Sequence, residues 1–418
     1  SSVAHRLPRV TAPDESPEAL RPERYIAGGE ALAHDADGRV VFVRGGIPGD
    51  VVEVSTVERK GEWSRAVVDR VVAASSERVT APCPQRRQGC GGCDWQELTV
   101  AAQLPAKVEI VTDAFRRTAR MPDARIVSGT AVAAVDYRTT IRVVGGPDRR
   151  PSYRIDRSHD TVSAAGCLVA HPALRDLIEM ISIEPDLEVT LRVSAATGER
   201  TARWDARRGD VGGLPDDVGV GAEATLIERV AGHDFRVSAG SFFQSGPAAA
   251  ELLVAAVRRA APELATANTV LDAYAGVGLF ALAATHPAAA VIAVESSRAA
   301  VADAEHNLAG RAASVELGQV GRWRRHRGQR IDVAIADPAR SGLGRPGVAA
   351  LASSAAPVVV LVSCDPVAAA RDAALLHQHG YRHDGTEVLD LFPHTHHVEC
   401  VTRFVQATPD HASGRLGR

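Results

Sequence analysis

Short stretches rich in valine and other apolar residues fill the first part of the chain. Residues 40–43, 50–54 and 65–72 are such stretches, and glycine-rich turns separate them. This pattern predicts short β-strands joined by tight turns. A chain of about fifty residues organised in this way is typical of a small β-barrel of the OB type, which we assign to residues 22–75. Residues 1–21 are rich in proline, arginine and glutamate and predict a disordered lead-in.

A cysteine-containing loop and a helix are predicted in residues 76–124. The helix follows the loop and runs roughly from Leu98 to Thr118, where apolar residues recur with helical spacing. Residues 125–237 then mix strand patterns with loops, as in the apolar alternation of residues 187–193. This mixture predicts an α+β middle domain.

The last part of the chain, residues 238–406, alternates strand and helix patterns. Four apolar runs end at polar or acidic residues and are predicted to be strands: 270–272, 291–295, 331–337 and 357–363. Nearly continuous apolar strands indicate a parallel sheet covered on both faces. Two further strands are predicted at about 380–388 and 397–405, followed by a flexible tail at 407–418. The predicted fold class is therefore multidomain α/β with a Rossmann-like C-terminal domain.

The strand at 270–272 leads into a glycine turn that is typical of nucleotide-binding sites. Gly276 and Gly278 allow the backbone to turn sharply beside a ligand, and Glu295 ends the next strand, where a carboxylate can bind ribose hydroxyls. The spacing fits both a dinucleotide and S-adenosylmethionine. Asp272 favours S-adenosylmethionine, because a carboxylate there suits a cationic cofactor and would repel a pyrophosphate.

Composition narrows the class of protein without deciding its function. The chain has 418 residues, of which 45% are hydrophobic and 24% charged, with a net charge of −3. These values predict two to four globular domains. Without a long apolar run or a basic leader, we expect a cytoplasmic protein with no membrane partner. Arginine clusters at 148–157 and 322–330 suit phosphate contacts, although exposed arginines also arise from composition alone.

Three of the six cysteines are closely spaced. Cys83, Cys90 and Cys93 fall within eleven residues that include glycines, and Cys167 lies in the middle domain. In a chain without a secretion leader, such cysteines indicate metal ligation more than disulfides. Zinc and an iron–sulfur cluster are both consistent with the spacing.

Cys364 follows a buried strand and precedes Pro366, which can open a helix. We expect the helix dipole to lower the pKa of this thiol and make it a nucleophile, although a buried structural cysteine is the alternative. A second polar cluster, residues 392–399, contains three histidines and Glu399. Its spacing matches no compact metal-ligand set, so a general base is predicted there.

Several of these stretches together resemble the RNA uracil-C5 methyltransferase family, which forms 5-methyluridine. The matching motifs are CPQRRQGCGGCDWQ, GSFFQSG, LDAYAGVG, ADPARSG, VSCDP and FPHTHHVE, in this order. The N-terminal barrel is similar to the TRAM module, an RNA-binding barrel. The resemblance is strongest to the iron–sulfur-containing branch that acts on 23S ribosomal RNA.

This resemblance implies roles for individual residues. Cys364 would be the nucleophile that forms a covalent adduct with uridine C6, and Glu399 would remove the C5 proton. S-adenosylmethionine would be held, together with the glycine loop, by Gln244, Tyr274, Glu295 and Asp337. Gln319 falls near the position of a further cofactor-contacting asparagine. Cys83, Cys90, Cys93 and Cys167 would ligate a [4Fe–4S] cluster.

Two positions depart from the family pattern without removing a reacting group. Asp365 stands where asparagine is usual, and Glu97 stands where histidine is usual. RNA is the implied partner, and no obligate protein partner is inferred.

Other functions are weighed against this interpretation. A tRNA substrate would keep the same chemistry, whereas an RNA-binding or assembly factor would lack catalysis. RNA cytosine-C5 enzymes usually carry a second cysteine where this chain has Asp337-Pro-Ala-Arg, and radical enzymes need a C-x₃-C-x₂-C spacing that is absent here.

Overall fold

The computed structural model of the protein describes residues 19–407. These residues form two compact units. The first contains the described residues up to Ile26 together with Glu30–Arg78, and the second contains Ala27–Gly29 and the described residues from Val79 onward. Most of the predicted lead-in and all of the predicted tail beyond Ala407 fall on residues 1–18 and 408–418, outside the described residues.

The first unit is built on one six-stranded sheet. Its strands are β1 (Ala19–Leu20), β2 (Arg24–Tyr25), β3 (Ala31–His34), β4 (Val40–Arg44), β5 (Val51–Arg59) and β6 (Trp63–Ala73). Their order is β1-β5-β6-β4-β3-β2, with β4 and β6 parallel and the other neighbours antiparallel. Ala19 and Leu20, which the sequence pattern assigns to the disordered lead-in, form β1 because Leu20 is buried in the core of this unit and the strand pairs with β5.

The second unit begins with the cysteine-containing segment and its helices. Helices α1 (Pro84–Arg87) and α2 (Val100–Ala114) are followed by a π-helical turn (Phe115–Ala119) and strand β7 (Ile126–Ala131). Val111, Ala114 and Phe115 are buried together with residues of the large sheet described below. The helix after the cysteines thus belongs to the core of the C-terminal fold.

A second six-stranded sheet occupies the middle of the chain. The elements of this region are β8 (Thr140–Gly145), β9 (Pro151–Arg154), β10 (Thr161–Ser163), α3 (Pro172–Met180), β11 (Ser182–Ile183), β12 (Glu188–Val193), β13 (Arg200–Arg203), β14 (Val211–Gly212) and β15 (Val218–Val220). The strand order is β10-β9-β8-β12-β13-β15, and β11 pairs separately with β14. Leu174, Leu177 and Ile178 of α3 pack against this sheet in one buried cluster, as expected for an α+β region.

The rest of the chain forms an eight-stranded sheet with its covering elements. These are β16 (Thr225–Val230), β17 (His233–Ser238), α4 (Pro247–Ala260), β18 (Thr269–Ala273), α5 (Leu279–Ala283), β19 (Ala290–Glu295), α6 (Arg298–Asn307), β20 (Ala313–Leu317), β21 (Val333–Ala336), α7 (Gly344–Ser354), β22 (Val358–Ser363), α8 (Pro366–Gln378), β23 (Tyr381–Asp390) and β24 (Glu399–Gln406). Short 3₁₀ turns lie at Pro262–Ala265 and Val320–Arg322.

The order in the large sheet is β20-β19-β18-β21-β22-β24-β23-β7. The first five strands are parallel, and β24 runs antiparallel to β22 and β23. Alternate residues of β22 pack on opposite faces: Val358, Val360 and Val362 join one buried cluster, whereas Val359 and Leu361 join the other. Both faces of β22 are therefore buried, which explains why residues 358–362 are all apolar and confirms the predicted α/β organisation.

Two segments of the predicted middle domain pack with the large sheet in the structure. Strand β7 pairs with β23 through Ile126 and Thr386. The β16–β17 hairpin packs Leu226, Phe235 and Val237 into the core around α4. Pairing between residues so far apart in the chain leaves no local pattern. A domain division based on sequence periodicity therefore cannot assign these two segments to the large sheet.

No helix within residues 19–407 has both the length and the apolar character needed to cross a membrane.

Candidate active site

The carboxyl ends of four parallel strands lie side by side in the large sheet, and β24 begins at the same edge. The register aligns Ala273 of β18 with Val294 of β19 and with Ala336 of β21. Ala336 is in turn aligned with Leu361 of β22. Side chains that follow these strands therefore converge, as is general for ligand sites in open α/β sheets.

Asp272 and the glycine turn form one side of this edge. Asp272 Oδ2 accepts a 2.8 Å hydrogen bond from Ala281 N, which ties the strand to the start of α5. Its other oxygen, Oδ1, is buried and has no hydrogen-bond partner within the described residues. An unpartnered buried carboxylate oxygen costs free energy unless a ligand completes it. Burial raises the pKa of Asp272 to about 7.

The turn itself leaves room for a ligand against the backbone. Gly276 has φ +55°, and a Cβ built there would meet no atom within 4 Å. Tyr274, two residues earlier, also has a positive φ, of 64°. This conformation is costly for a residue with a side chain and is concentrated at functional sites. The turn thus combines an open concavity with a fixed, half-buried tyrosine.

Glu295 is held rigidly at the end of β19. Its Oε2 accepts a 3.0 Å hydrogen bond from Gly276 N, and its Oε1 accepts 2.7 Å bonds from the backbone N–H groups of Ser296 and Ser297. Oε2 accepts only this one bond and keeps a second lone pair, whereas Oε1 also accepts from the Ser296 hydroxyl and is fully used. The group is therefore oriented beside the turn, and Oε2 keeps the capacity to accept a hydrogen bond from a ligand hydroxyl.

Gln244 and Asp337 are in contact at this edge of the sheet. Gln244 Nε2 lies 3.5 Å from Asp337 Oδ2, which makes this a long hydrogen bond. Burial raises the pKa of Asp337 well above its ordinary range. Gln319 lies elsewhere along the same edge, after β20, and its side chain is exposed. Among the residues predicted for the cofactor, Gln319 is the least enclosed.

Cys364 directly follows β22, and Glu399 is the first residue of the neighbouring strand β24. The pairing of β22 with β24 ends at Ser363 and Cys400, so Cys364 and Glu399 each lie one position beyond this last pair. The charge of Glu399 acts on the Cys364 thiol. The thiol is half-buried, and Glu399 is only 4% exposed. A thiol and a carboxyl group are thus brought into one small space.

The expectation of a lowered thiol pKa at Cys364 is wrong for the protein without ligands. Burial, together with the charges of Glu399 and Asp337, raises the pKa of Cys364 to about 12, and Arg340 opposes this only in part. Pro366 does open helix α8, but the Asp365 side chain caps it by accepting a 2.7 Å hydrogen bond from Ala368 N. A negatively charged cap offsets the helix dipole beside the thiol.

Glu399 itself has the chemistry of a buried acid. Burial and the neighbouring Asp337 raise its pKa well above the ordinary range. Because two carboxyl groups lie in one enclosed site, ionisation of either makes ionisation of the other more costly.

The three histidines of residues 392–399 serve different structural purposes. His394 is buried in a left-handed backbone conformation with φ 67°. His396 Nδ1 lies 2.6 Å from Asp94 Oδ2, and His397 Nε2 lies 3.5 Å from Arg340. Within the described residues, no set of three histidine, cysteine or acidic side chains is arranged to hold a single metal ion.

The four predicted cysteine ligands line one cavity of about 230 Å³, although they come from two distant parts of the chain. Cys83, Cys90, Cys93 and Cys167 are all free thiols. Arg138 lines the same cavity and lies over the rings of Tyr137 and Phe392, 5.7 Å from each centroid. Within the described residues Arg138 has no ion-pair partner. An enclosed cation without a carboxylate favours an anionic occupant of the cavity.

Three residues of this region are absent from the sequence-based set of site residues. Arg340 is the cation that opposes the raised thiol pKa, Asp94 contacts the histidine segment, and Phe242 is 73% exposed beside Gln244. An exposed phenylalanine next to a buried glutamine is visible only in the structure. Arg340 lies in the Asp337-Pro-Ala-Arg motif that follows β21. Its place in this motif is the sequence feature that could have indicated a role in the site.

The fold and the arrangement of this edge define a class of enzyme, the methyltransferases with a Rossmann-like domain. The chain shares its fold with the crystal structure of Pyrococcus abyssi tRNA (uracil-54, C5)-methyltransferase in complex with S-adenosyl-L-homocysteine. The TM-score is 0.70 at 24% identity, over 92% of this chain and 99% of that chain. No protein-family model matches the chain.

Sequence relatives give the family. A Streptomyces avermitilis protein named an uncharacterized RNA methyltransferase is 33% identical, over 90% of this chain and 94% of its own length. The Halomonas elongata 23S rRNA (uracil(1939)-C(5))-methyltransferase RlmD is 31% identical, over 93% of this chain and 89% of its own length. The chain belongs to this family of RNA methyltransferases, the RNA uracil-C5 methyltransferases.

Proposed function

We propose that this enzyme transfers a methyl group from S-adenosylmethionine to C5 of uridine in RNA, with 23S ribosomal RNA as the preferred substrate. The observation that carries the proposal is the position of Cys364, just after β22, beside Glu399, the first residue of the adjacent strand β24, at the edge where β18, β19 and β21 end. A nucleophile and a base beside one another at a cofactor edge suit an addition followed by proton removal.

The cofactor side of the edge fits S-adenosylmethionine. The unpartnered oxygen of Asp272 and the open space at Gly276 offer a negative, concave surface, and Glu295 would bind the ribose hydroxyls. Tyr274, Gln244 and Asp337 would complete the binding site, with Gln319 at its rim. When bound, S-adenosylmethionine supplies an electrophilic methyl group at a positively charged sulfur.

The thiolate of Cys364 would add to C6 of the uracil ring, which makes C5 electron-rich enough to take a methyl group. Glu399 would then remove the C5 proton, so that the bond between Cys364 and C6 can break. A carboxylate whose pKa is raised by burial is a strong base once it is ionised. The target uridine must be unstacked to reach an edge this enclosed.

The other parts of the chain would bind RNA. We assign residues 22–75 to a TRAM-like barrel of the OB type, 76–124 to the cysteine loop and its helix, and 125–237 to a middle domain. Residues 238–406 would form the catalytic domain. Exposed arginines such as Arg324, Arg325 and Arg327 are available for phosphate contacts.

The substrate can be tested with purified RNA. We expect labelled methyl groups to appear as 5-methyluridine in a 23S ribosomal RNA fragment and not in tRNA transcripts. Transfer to tRNA alone would favour the second candidate, which the shared fold with the Pyrococcus abyssi tRNA enzyme makes reasonable. RNA binding without methyl transfer to either RNA would indicate a non-catalytic factor instead.

The pH dependence of cofactor binding follows from Asp272. Because burial raises its pKa to about 7, the carboxyl group is mainly neutral at pH 6 and mainly ionised at pH 8. The positively charged cofactor should therefore bind more tightly as pH rises across this range, by up to about tenfold. Calorimetric titration at both pH values measures the change.

S-adenosylhomocysteine is the matched control, because it lacks the positive charge on sulfur. Its affinity should change much less than that of S-adenosylmethionine, and Asp272→Asn should remove the difference between the two. An affinity for S-adenosylmethionine that is constant or falls with pH would contradict this role of Asp272.

We also propose that Cys83, Cys90, Cys93 and Cys167 ligate a [4Fe–4S] cluster. Their shared cavity and the unpaired charge of Arg138 support an anionic group there. A single zinc ion, with bonds of about 2.3 Å to sulfur, needs its thiolates closely gathered. The described cysteines are not gathered in that way, whereas a four-iron cluster binds each thiolate at a different iron.

Cysteine substitutions test the cluster. Protein purified without oxygen should be brown, with about four iron atoms and four sulfides per chain. Cys167→Ser should lose iron and melt at a lower temperature, because one of four ligands is missing. Cys400→Ser is the control and should retain iron, since Cys400 lies in the core of the large sheet. Stoichiometric zinc without iron or sulfide would contradict the cluster.

A further inference from the structure

The segment that leads to Glu399 is held by several hydrogen bonds with residues 94–107, which follow Cys93, in addition to bonds from Val132, Tyr137 and Ser245. We call residues 390–398 the approach segment, since β23 ends and β24 begins on either side of it. It has no regular secondary structure apart from its first residue, so its own backbone does not fix its course. External hydrogen bonds must do so.

Helix α2 holds the first half of the approach segment. Lys107 Nζ, which is fully buried, donates to Asp390 Oδ1 at 2.6 Å and to Phe392 O at 3.2 Å. Gln103 Oε1 accepts a 2.6 Å hydrogen bond from His394 N. These contacts fix the segment up to its middle.

Asp94 holds the second half, nearest to Glu399. Asp94 directly follows Cys93, and its two carboxylate oxygens bind both the backbone and the side chain of His396. Oδ1 accepts from His396 N at 3.2 Å, and Oδ2 lies 2.6 Å from Nδ1 of the ring. The next residue, Trp95, donates its backbone N–H to His394 O at 2.9 Å.

Close packing around His396 supports its contact with Asp94. A Cβ built on Gly29 would lie 2.6 Å from His396 Cβ and 2.9 Å from Asp94 Oδ2, so Gly29 lies directly against this pair. The His396 ring also lies 4.3 Å from the His397 ring, and His397 Nε2 is 3.5 Å from Arg340.

We propose that Asp94 is a positioning residue that sets the place of Glu399 through His396. The proposal rests on the proposed function of Glu399 as the base. Cys364 is carried by β22, which the approach segment does not support, so loss of Asp94 should impair proton removal more than thiol addition. The cysteine loop thereby gains a second role, since it orients the catalytic base.

The reaction order supplies a readout that a purely structural role would not change. If Cys364 still adds to C6 and the methyl group is still transferred, but the C5 proton leaves slowly, the enzyme stays bonded to methylated RNA. Such an adduct survives denaturing gel electrophoresis. A generally unstable protein would instead form less adduct than the parent enzyme.

The test compares Asp94→Ala, Asp94→Asn and Glu97→Ala in the full-length protein. We expect Asp94→Ala to lower turnover by at least about tenfold, as small misplacements of a catalytic group do, and to accumulate methylated adduct several-fold above the parent. Turnover of Asp94→Asn should lie between that of Asp94→Ala and that of the parent, because an amide oxygen can still accept a hydrogen bond from His396. Iron content and melting temperature should stay close to those of the parent.

Glu97 is the matched control. It is a carboxylate three residues along the same segment, but it pairs with Arg86 at 3.1 Å, and its side chain makes no contact with the approach segment within the described residues. Glu97→Ala should therefore turn over and form adduct like the parent.

Two results would overturn the proposal: turnover of Asp94→Ala within about twofold of the parent, or a loss of turnover without adduct in both Asp94 variants. Glu399→Gln separates this failure from that of the proposed function. If Glu399→Gln traps adduct and the Asp94 variants do not, only the positioning role fails. If Glu399→Gln traps none, the assignment of Glu399 as the base fails as well.

Discussion

Replacing Cys364 with alanine is expected to abolish methyl transfer, by at least about 10³-fold, while binding of RNA and S-adenosylmethionine stays near that of the parent enzyme. The reason is chemical: without a thiol to add to C6, the uracil ring has no route to an electron-rich C5. The Cys364 side chain is half-buried at the sheet edge, so its loss leaves the large core clusters intact. Single-turnover transfer of a labelled methyl group and calorimetric binding measure the two effects separately.

Cys400→Ala is the matched control for this prediction. Cys400 is the neighbouring thiol, but it is fully buried among apolar side chains. Its loss should lower stability more than activity, because it removes core packing and no reacting group. Substantial methyl transfer by Cys364→Ala, or inactivation only by Cys400→Ala, would exclude Cys364 as the nucleophile.

Glu399→Gln is expected to stall after methyl transfer and to remain covalently attached to its RNA. Glutamine matches the size of glutamate and fits the same enclosed position, which is 4% exposed, but it cannot accept the C5 proton. Addition by Cys364 and methyl transfer precede that step, so they should still occur. Multiple turnover should fall by at least about 10²-fold, with the stalled enzyme visible as a slower band in denaturing gels.

The double variant Cys364→Ala with Glu399→Gln tests whether the band is the expected adduct. It should give no band, because the bond to RNA forms at Cys364. A band that persists in the double variant would show attachment through another residue. Free turnover by Glu399→Gln would assign the base to another group at the edge. Asp337 is then the candidate, because its carboxyl group is close enough to raise the pKa of Glu399.

Much of the large sheet was predictable because its strands are apolar throughout. Residues 358–362 are all apolar and cannot be exposed without cost on either face, so their burial follows from composition alone. The glycine turn was likewise predictable, since a sharp turn needs the conformational freedom of glycine, and Asp272 and Glu295 were predictable from their spacing relative to that turn. The membership of β7 was not predictable, because pairing of Ile126 with Thr386 depends on contacts that no local pattern encodes.

The chemistry of the site was only partly predictable. The proposed nucleophile, the proposed base and the four proposed cluster ligands follow from residue types and motifs. The direction of the Cys364 pKa shift does not, because it depends on how far the thiol is buried and on where Glu399 and Asp337 come to lie. The contact between Asp94 and His396 is similarly invisible in sequence, since it joins two segments from opposite ends of the second unit.

The position of β7 at the edge of the large sheet has a consequence for synthesis on the ribosome. Its partner β23 (Tyr381–Asp390) is made long after β7, and β24, which links β23 to β22, is made later still. A nascent chain that ends before these strands exposes the unpaired side of β22 and an unpaired β7. Exposed strand edges of this kind associate readily with other chains. The sheet therefore closes only after β24 has been made, and we expect chains truncated before β23 to aggregate instead of folding into a smaller enzyme.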